Sequence, residues 1–271
     1  MVIWYLPVSD LCPIPRLCSV RYLNTTPLVW GLLHGPQRGI FDVTFALPSE
    51  CADRMVAGEA DIGIVPVASL SGQSWSILRG TGIGARGPVR SILLISRVPP
   101  AQIRTLAADV GSRTSVLLAR IILARKYCAE PAITLMPPRL DDMLAAADGA
   151  LIIGDPALHL DPGSLPYHVL DLAEEWTEMT GLPMVFAVWA CPAPYATPAH
   201  EKALVDSCRF GLNHIEEIIA AESRARGLAE SLVRRYLTRH ITFEMTARDY
   251  QGMELFLSLG SRLEALAVTT A

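Results

Sequence analysis

No two of the six cysteines are spaced as a CxxC pair. Cys12, Cys18, Cys51, Cys128, Cys191 and Cys208 therefore read as buried free thiols in a reducing compartment, not as disulfides or a metal site. No apolar run is long enough to cross a bilayer. The opening MVIWYLPVSDLCPIPR has no basic n-region and carries Asp10, so it does not read as a secretion signal, and residues 1–15 are set apart as a leader. Charge is scarce: 18% of residues are charged and the net charge is -4, which excludes a strongly basic nucleic-acid binder. The local run Arg234, Arg235, Arg239 and His240 reads as a solvated helix face. Histidine is sparse too, and His214 and Glu217 in NHIEEI have no second histidine to complete a zinc helix. No Ser-His-Asp set, P-loop or 20–50-residue repeat stands out. GIGARG, Gly82 to Gly87, matches the dinucleotide fingerprint in letters only. Pro88 and then a strand follow it, where a helix is needed, so it reads as a flexible loop.

What the chain does have is apolar mass, with 271 residues that are 51% hydrophobic. That is enough for a sizeable core and excludes disorder. Strand and helix signals alternate. RLCSVRYL, DVTFALP and DIGIVPV read as strands, separated by helices over Pro27–Leu33 and from a Ser49 cap through Ala57. This βαβαβ order implies a parallel sheet. SILLIS is a further buried strand, and the prolines of RVPPAQ mark a break. A second α/β run follows through RTLAADV, SRTSVLLARIILARKY, AITLM, LDDMLAAAD and GALIIG, then helix AEEWTEMTG and strand MVFAVWA. From Thr197-Pro198 the signal is almost all helical, and Thr246 with Asp249 has capping-box spacing. The expectation is an α/β chain of two lobes, with residues 16–97 and 192–271 in the first and 98–191 in the second, and a helical tail packed back on the first lobe.

Small polar residues gather where strands meet helices. Tyr22, Asn24 and Thr25 precede Thr26-Pro27, where Thr26 can cap and Pro27 suits a first helical turn. Ser91 opens a strand. Ser112, Thr114 and Ser115 precede a long helix, and Gly154-Asp155 follow a buried strand. Each cluster alone is explained by capping. Their recurrence in both lobes points to a cleft, where two helix starts with free N–H groups suit a ligand carrying two carboxylates. None of these clusters contains a histidine. On the residues by themselves a small-anion binder is slightly favoured over an acid–base enzyme.

VRYLNTTPLVWGL, GEADIGIVPVASL, GPVRSILLISR, SRTSVLLARIIL, LIIGDPAL and EEWTEMTGLPMVFAVWA occur in that order. Together they resemble the chorismate dehydratases of the futalosine route to menaquinone, from about Arg16 to Pro192. The resemblance implies a two-lobed α/β fold of the type II periplasmic-binding-protein kind, in the cytoplasm. It also implies a hydro-lyase that converts chorismate to 3-[(1-carboxyvinyl)oxy]benzoate without a cofactor or metal. Asn24 and Ser91 fall on the family's functional positions, and Thr114 and Ser115 on its carboxylate-holding helix start. Tyr22, Thr25, Ser112 and Asp155 complete the expected substrate-binding set. Arg21 departs from the serine expected in many members. The small molecule is the expected partner, with no nucleic acid or membrane, and a homodimer is left open. Two other classes stand beside this one: a carboxylate solute-binding protein, and the dihydroxynaphthoate-forming lyase of the same pathway.

Overall fold

The computed structural model describes residues 14–269; residues 1–13, with most of the leader and Cys12, lie outside the described residues. The first run of elements is β1 (Arg16–Val20), α1 (Thr26–His34), β2 (Asp42–Ala46), α2 (Pro48–Val56), β3 (Ile62–Pro66) and β4 (Ser76–Ala85). The second is β5 (Ile92–Ser96), β6 (Thr105–Asp109), α3 (Thr114–Tyr127), β7 (Ala132–Met136), α4 (Leu140–Ala146), β8 (Gly149–Ile153), α5 (Gly154–Leu158), β9 (His168–Asp171) and α6 (Leu172–Thr180). Then come β10 (Met184–Cys191), α7 (Pro198–Asn213), α8 (Ile215–Arg226), α9 (Glu230–Arg235), a π-helical turn (Tyr236–His240), β11 (Thr242–Glu244) and α10 (Ala247–Thr269).

Two sheets result, in the orders β11-β4-β10-β3-β1-β2 and β7-β6-β8-β5-β9. β1 pairs parallel with β2 and β3, and β6 pairs parallel with β7 and β8. β3, β5 and β8 are buried at every position, as their unbroken apolar runs require of strands covered on both faces. The edge strands β2 and β7 keep exposed residues.

The sequence boundaries put β5 in the first lobe and β10 in the second; the sheets exchange them. β5 lies antiparallel between β8 and β9, and β10 antiparallel between β3 and β4. The reason is where the chain crosses. Pro99 and Pro100 only open a 3₁₀ turn inside the second lobe. The first crossing is the Gly87–Arg90 stretch, with positive φ at Gly87 and Arg90. Asp171 fastens it: its carboxylate accepts the Val89 N–H at 3.0 Å and the Arg90 N–H at 2.6 Å, and also caps α6. At the second crossing the Trp176 indole donates to the Pro183 carbonyl at 3.1 Å, and the ring packs edge-on against Phe256 of α10. GIGARG is not a loop: Gly82 and Gly84 lie in β4. A Cβ on Gly82 would stand 2.7 Å from the Ala187 carbonyl, so glycine lets β10 approach closely.

Several local expectations also shift. Ser49 is inside α2; Leu47 is the cap position, and its N–H donates to Glu50 at 3.1 Å. Thr26 is the first helical residue of α1, with Thr25 at the cap position. Cys128 is exposed at the left-handed end of α3, whereas Cys18, Cys51, Cys191 and Cys208 are buried free thiols. The tail does begin as expected: Thr197 accepts the His200 N–H at 3.1 Å, and Thr246 donates to Asp249 through its N–H at 2.8 Å.

One surface contact predicts a pH effect. Arg16 grips Asp61 through Nε at 3.1 Å, Nη2 at 2.8 Å and its backbone N–H at 2.8 Å, holding the Asp61 carboxyl down at about 2. A lowered acid pKa means the folded state binds fewer protons than the unfolded chain. The stability that Asp61 contributes is therefore complete above the ordinary carboxylate range and is lost as pH falls toward about 2. Denaturant unfolding of Asp61→Asn beside the native protein should show a gap at pH 6 that narrows at pH 3. A gap independent of pH would contradict this.

Candidate active site

Between the sheets lies a cavity open to solvent, lined by apolar side chains including Ile64, Ile83, Ile92, Ile153 and Phe186. Its polar lining comes from both lobes. Tyr22, Asn24, Thr25, Ser91, Ser112, Thr114 and Ser115, separate in sequence, all reach it. Asp155 is not among the lining residues, although its neighbour Gly154 is.

The first-lobe contribution is the 3₁₀ turn Leu23–Thr25 between β1 and α1. Thr25 holds the turn shut, its hydroxyl directed at the carbonyls of Val20 and Tyr22. That hydroxyl is spent on the backbone, which leaves the Asn24 amide as the adaptable polar group of the turn.

The second lobe presents the start of α3. Arg113, at the cap position, offers this helix no side-chain cap, so its first N–H groups are not all spent internally. Ser112 Oγ accepts the Ser115 N–H at 3.3 Å. Thr114 Oγ1 accepts from Ala68 N–H at 3.2 Å and donates to the Phe186 carbonyl at 3.1 Å. The hydroxyl expected on a substrate carboxylate thus bridges the lobes. Ser115 has no such commitment. Arg113, unnoticed in the sequence, also lines the cavity and pairs with Asp53 of α2 at 2.7 Å, adding a cation beside the helix start.

Asp155 is a clasp between the lobes. One carboxylate oxygen accepts the Leu23 N–H at 2.9 Å and the other pairs with Arg226 at the end of α8. Burial pushes its pKa up, against the pull of those partners. Gly154 beside it has φ +63 and lies against the Tyr22 ring. Its N–H donates to the Ser91 carbonyl at 2.8 Å, which pins Ser91 at the crossing between lobes.

Two further groups escaped sequence reasoning. Asp109, at the end of β6, is buried with one oxygen accepting the Gly111 N–H at 2.9 Å and the other unpartnered; burial raises its pKa. Tyr236, in the tail, donates its hydroxyl to Ser91 Oγ at 2.8 Å. It sits among basic residues in RRYLTRH, and no periodicity marks it as part of a site.

Residues 15–262 match a family model described as menaquinone biosynthesis. Over 255 residues the chain is 30% identical to a chorismate dehydratase of Thermus thermophilus, covering 87% of this chain and 91% of that protein. Among solved structures, protein AF1704 of Archaeoglobus fulgidus superposes with a TM-score of 0.74 at 15% identity, over 93% of this chain and 98% of that one. The periplasmic aliphatic sulphonate binding protein of Escherichia coli gives 0.63 at 14% identity, over 93% and 87%. A Candida albicans protein described as having the generic periplasmic binding protein fold gives 0.61 at 13% identity, over 92% and 90%. At these identities the structural likeness establishes the fold, a two-lobed periplasmic-binding-protein architecture.

Proposed function

The chain belongs to the menaquinone biosynthesis family, and on that premise we propose that it is a hydro-lyase converting chorismate to 3-[(1-carboxyvinyl)oxy]benzoate. The observation that carries the reading is the cavity itself: Asn24 from one lobe, Ser91 at the crossing and the open start of α3 from the other converge on one largely apolar space. The reaction removes the C3 proton and the C4 hydroxyl from a diene ring. Aromatisation drives it, and the ring carboxylate delocalises charge as the proton leaves. The protein's work is then orientation and electrostatics. Ser115, Arg113 and the free N–H groups of α3 suit one carboxylate, and Asn24 and Ser91 suit the reacting edge. A biosynthetic role of this kind fits the cytoplasm. No helix among the described residues is long and apolar enough to cross a membrane.

The proton acceptor is best assigned to the substrate. Among the described residues lining the cavity there is no carboxylate, histidine or lysine. The enolpyruvyl carboxylate hangs from C3, beside the proton, and can take it within the bound molecule. Incubation with chorismate followed by chromatography tests the activity. Unchanged chorismate would reject the assignment, and tight binding without turnover would favour a solute-binding protein. The acceptor is tested by Asp155→Asn in single-turnover experiments. Chemistry should persist with weaker binding, because the Arg226 pairing is lost while an amide oxygen can still accept from Leu23 N–H. Loss of chemistry with binding retained would make Asp155 the base.

A further inference from the structure

We propose that Tyr236 is a positioning residue for this dehydration, fixing the direction in which the Ser91 hydroxyl donates. The proposal rests on the hydro-lyase reading above. Tyr236 and Ser91 are both 1% exposed, and their oxygens are 2.8 Å apart. A serine hydroxyl carries one hydrogen and rotates to suit its surroundings. With the phenol donating to Ser91 Oγ, that hydrogen must point elsewhere. Tyr236 is the hydrogen-bond partner of Ser91 Oγ, and Ser91 lines the cavity, where a bound ligand can accept that hydrogen. The Ser91 carbonyl is separately held by the Gly154 N–H, so the residue is fixed at both its backbone and its side chain.

The tail is built to deliver this contact. Tyr236 opens the π-helical turn Tyr236–His240, a wide turn of the kind that often marks functional sites. At the far end of the turn His240 Nδ1 lies 2.9 Å from the Pro88 carbonyl. Both ends of the turn are therefore fastened to the crossing Pro88–Ser91, the segment that carries the serine between lobes. Asn24 lines the same cavity as Ser91. Burial raises the phenol's pKa far above neutrality and keeps it a donor at working pH.

The chemistry gives that direction a use. The electron pair of the C3–H bond becomes the new ring π bond, and the C4–O bond breaks with its pair on oxygen. The proton from C3 and the hydroxide from C4 make up the water lost, so neither Tyr236 nor Ser91 gains or loses a proton overall. The Ser91 hydrogen bond steadies the departing oxygen as it takes charge, and the Tyr236 bond polarises that donor.

The experiment compares Tyr236→Phe, Ser91→Ala and the double variant with the native enzyme on chorismate. Tyr250→Phe serves as control, because Tyr250 is also buried and its hydroxyl only accepts the Gly80 N–H at 3.0 Å. Tyr236→Phe should lower kcat about tenfold or more with KM within about twofold, an effect of the size expected for one misdirected donor. The double variant should be no slower than Ser91→Ala, because Tyr236 acts through Ser91. Tyr250→Phe should keep native kcat. Full activity of Tyr236→Phe, or additive losses in the double variant, overturns the inference while the hydro-lyase reading stands. A native enzyme inert towards chorismate overturns both. If Tyr236→Phe does not fold, 3,5-difluorotyrosine in place of Tyr236 keeps ring and hydroxyl but makes the phenol more acidic. It should move the alkaline fall of kcat to lower pH, and an unmoved profile refutes the role.

Discussion

Asn24→Ala should lower kcat on chorismate by about 10²–10³-fold, the loss typical of removing one preorganised donor at a reacting centre. The fold should survive, because nothing in the turn depends on this side chain. Thr25 closes the turn onto the Val20 and Tyr22 carbonyls, and the Leu23 N–H is held by Asp155. Asn24 instead offers its amide to the cavity beside the Tyr236–Ser91 pair. Steady-state kinetics together with thermal unfolding would separate the two effects. A variant with near-native kcat would remove Asn24 from the reaction. One with a collapsed unfolding temperature would make it a turn residue.

Gly154→Ala should be nearly as damaging, by a different route. At φ +63 any side chain is strained, and a Cβ there would stand 2.7, 2.8 and 2.9 Å from three carbons of the Tyr22 ring. The ring belongs to the first lobe and Gly154 to the second. Relief comes from displacing the Tyr22 ring in the cavity or from parting the lobes, and the latter also draws Asp155 away from Leu23 N–H and Ser91 from its backbone anchor. Misplacement of about an ångström at a reacting centre costs on the order of 10²-fold in rate. We therefore expect kcat/KM to fall by about that factor, with a larger radius of gyration by small-angle scattering and a modest loss of stability. Native kinetics would mean that the lobes do not need this contact. An unchanged radius with lost activity would place the damage in the Ser91 anchor alone.

Much of this arrangement is legible in the chain itself, for local reasons. Five consecutive buried positions in β3, β5 and β8 appear in the chain as IGIVP, ILLIS and GALII, so the strands announce themselves. Thr197 accepts the His200 N–H and Asp249 accepts the Thr246 N–H, each within three residues, a distance at which spacing and geometry are nearly the same thing. The lobe boundaries were less legible because proline marks a bend without saying what the bend separates. Pro99-Pro100 bend within one lobe, while the true crossing at Gly87–Arg90 is set by Asp171, a residue far along the chain. GIGARG reads as a loop in sequence but forms part of β4 for the same kind of reason. Glycine in a strand is tolerated when a neighbouring backbone comes close, and that neighbour is β10.

By itself the sequence determined the α/β class, the two-lobed plan, the helical tail and the polar residues at strand–helix junctions, since each rests on periodicity or capping within a few positions. Through the ordered motifs it also pointed to the family. Tertiary structure alone decided which of those polar groups remain available to a ligand. Thr25 and Thr114 stand at strand–helix junctions just as Ser115 does, yet Thr25 is spent on its own turn and Thr114 on Ala68 and Phe186 of the other lobe. Asp155 became a clasp only because Arg226 and Leu23 meet it there, and Tyr236 reached Ser91 only because the tail folds back across the crossing. A hydroxyl or carboxylate is chemically the same in every case. What it can do depends on whether its hydrogen-bonding capacity is already satisfied, and in this protein the satisfying partners lie on distant parts of the chain.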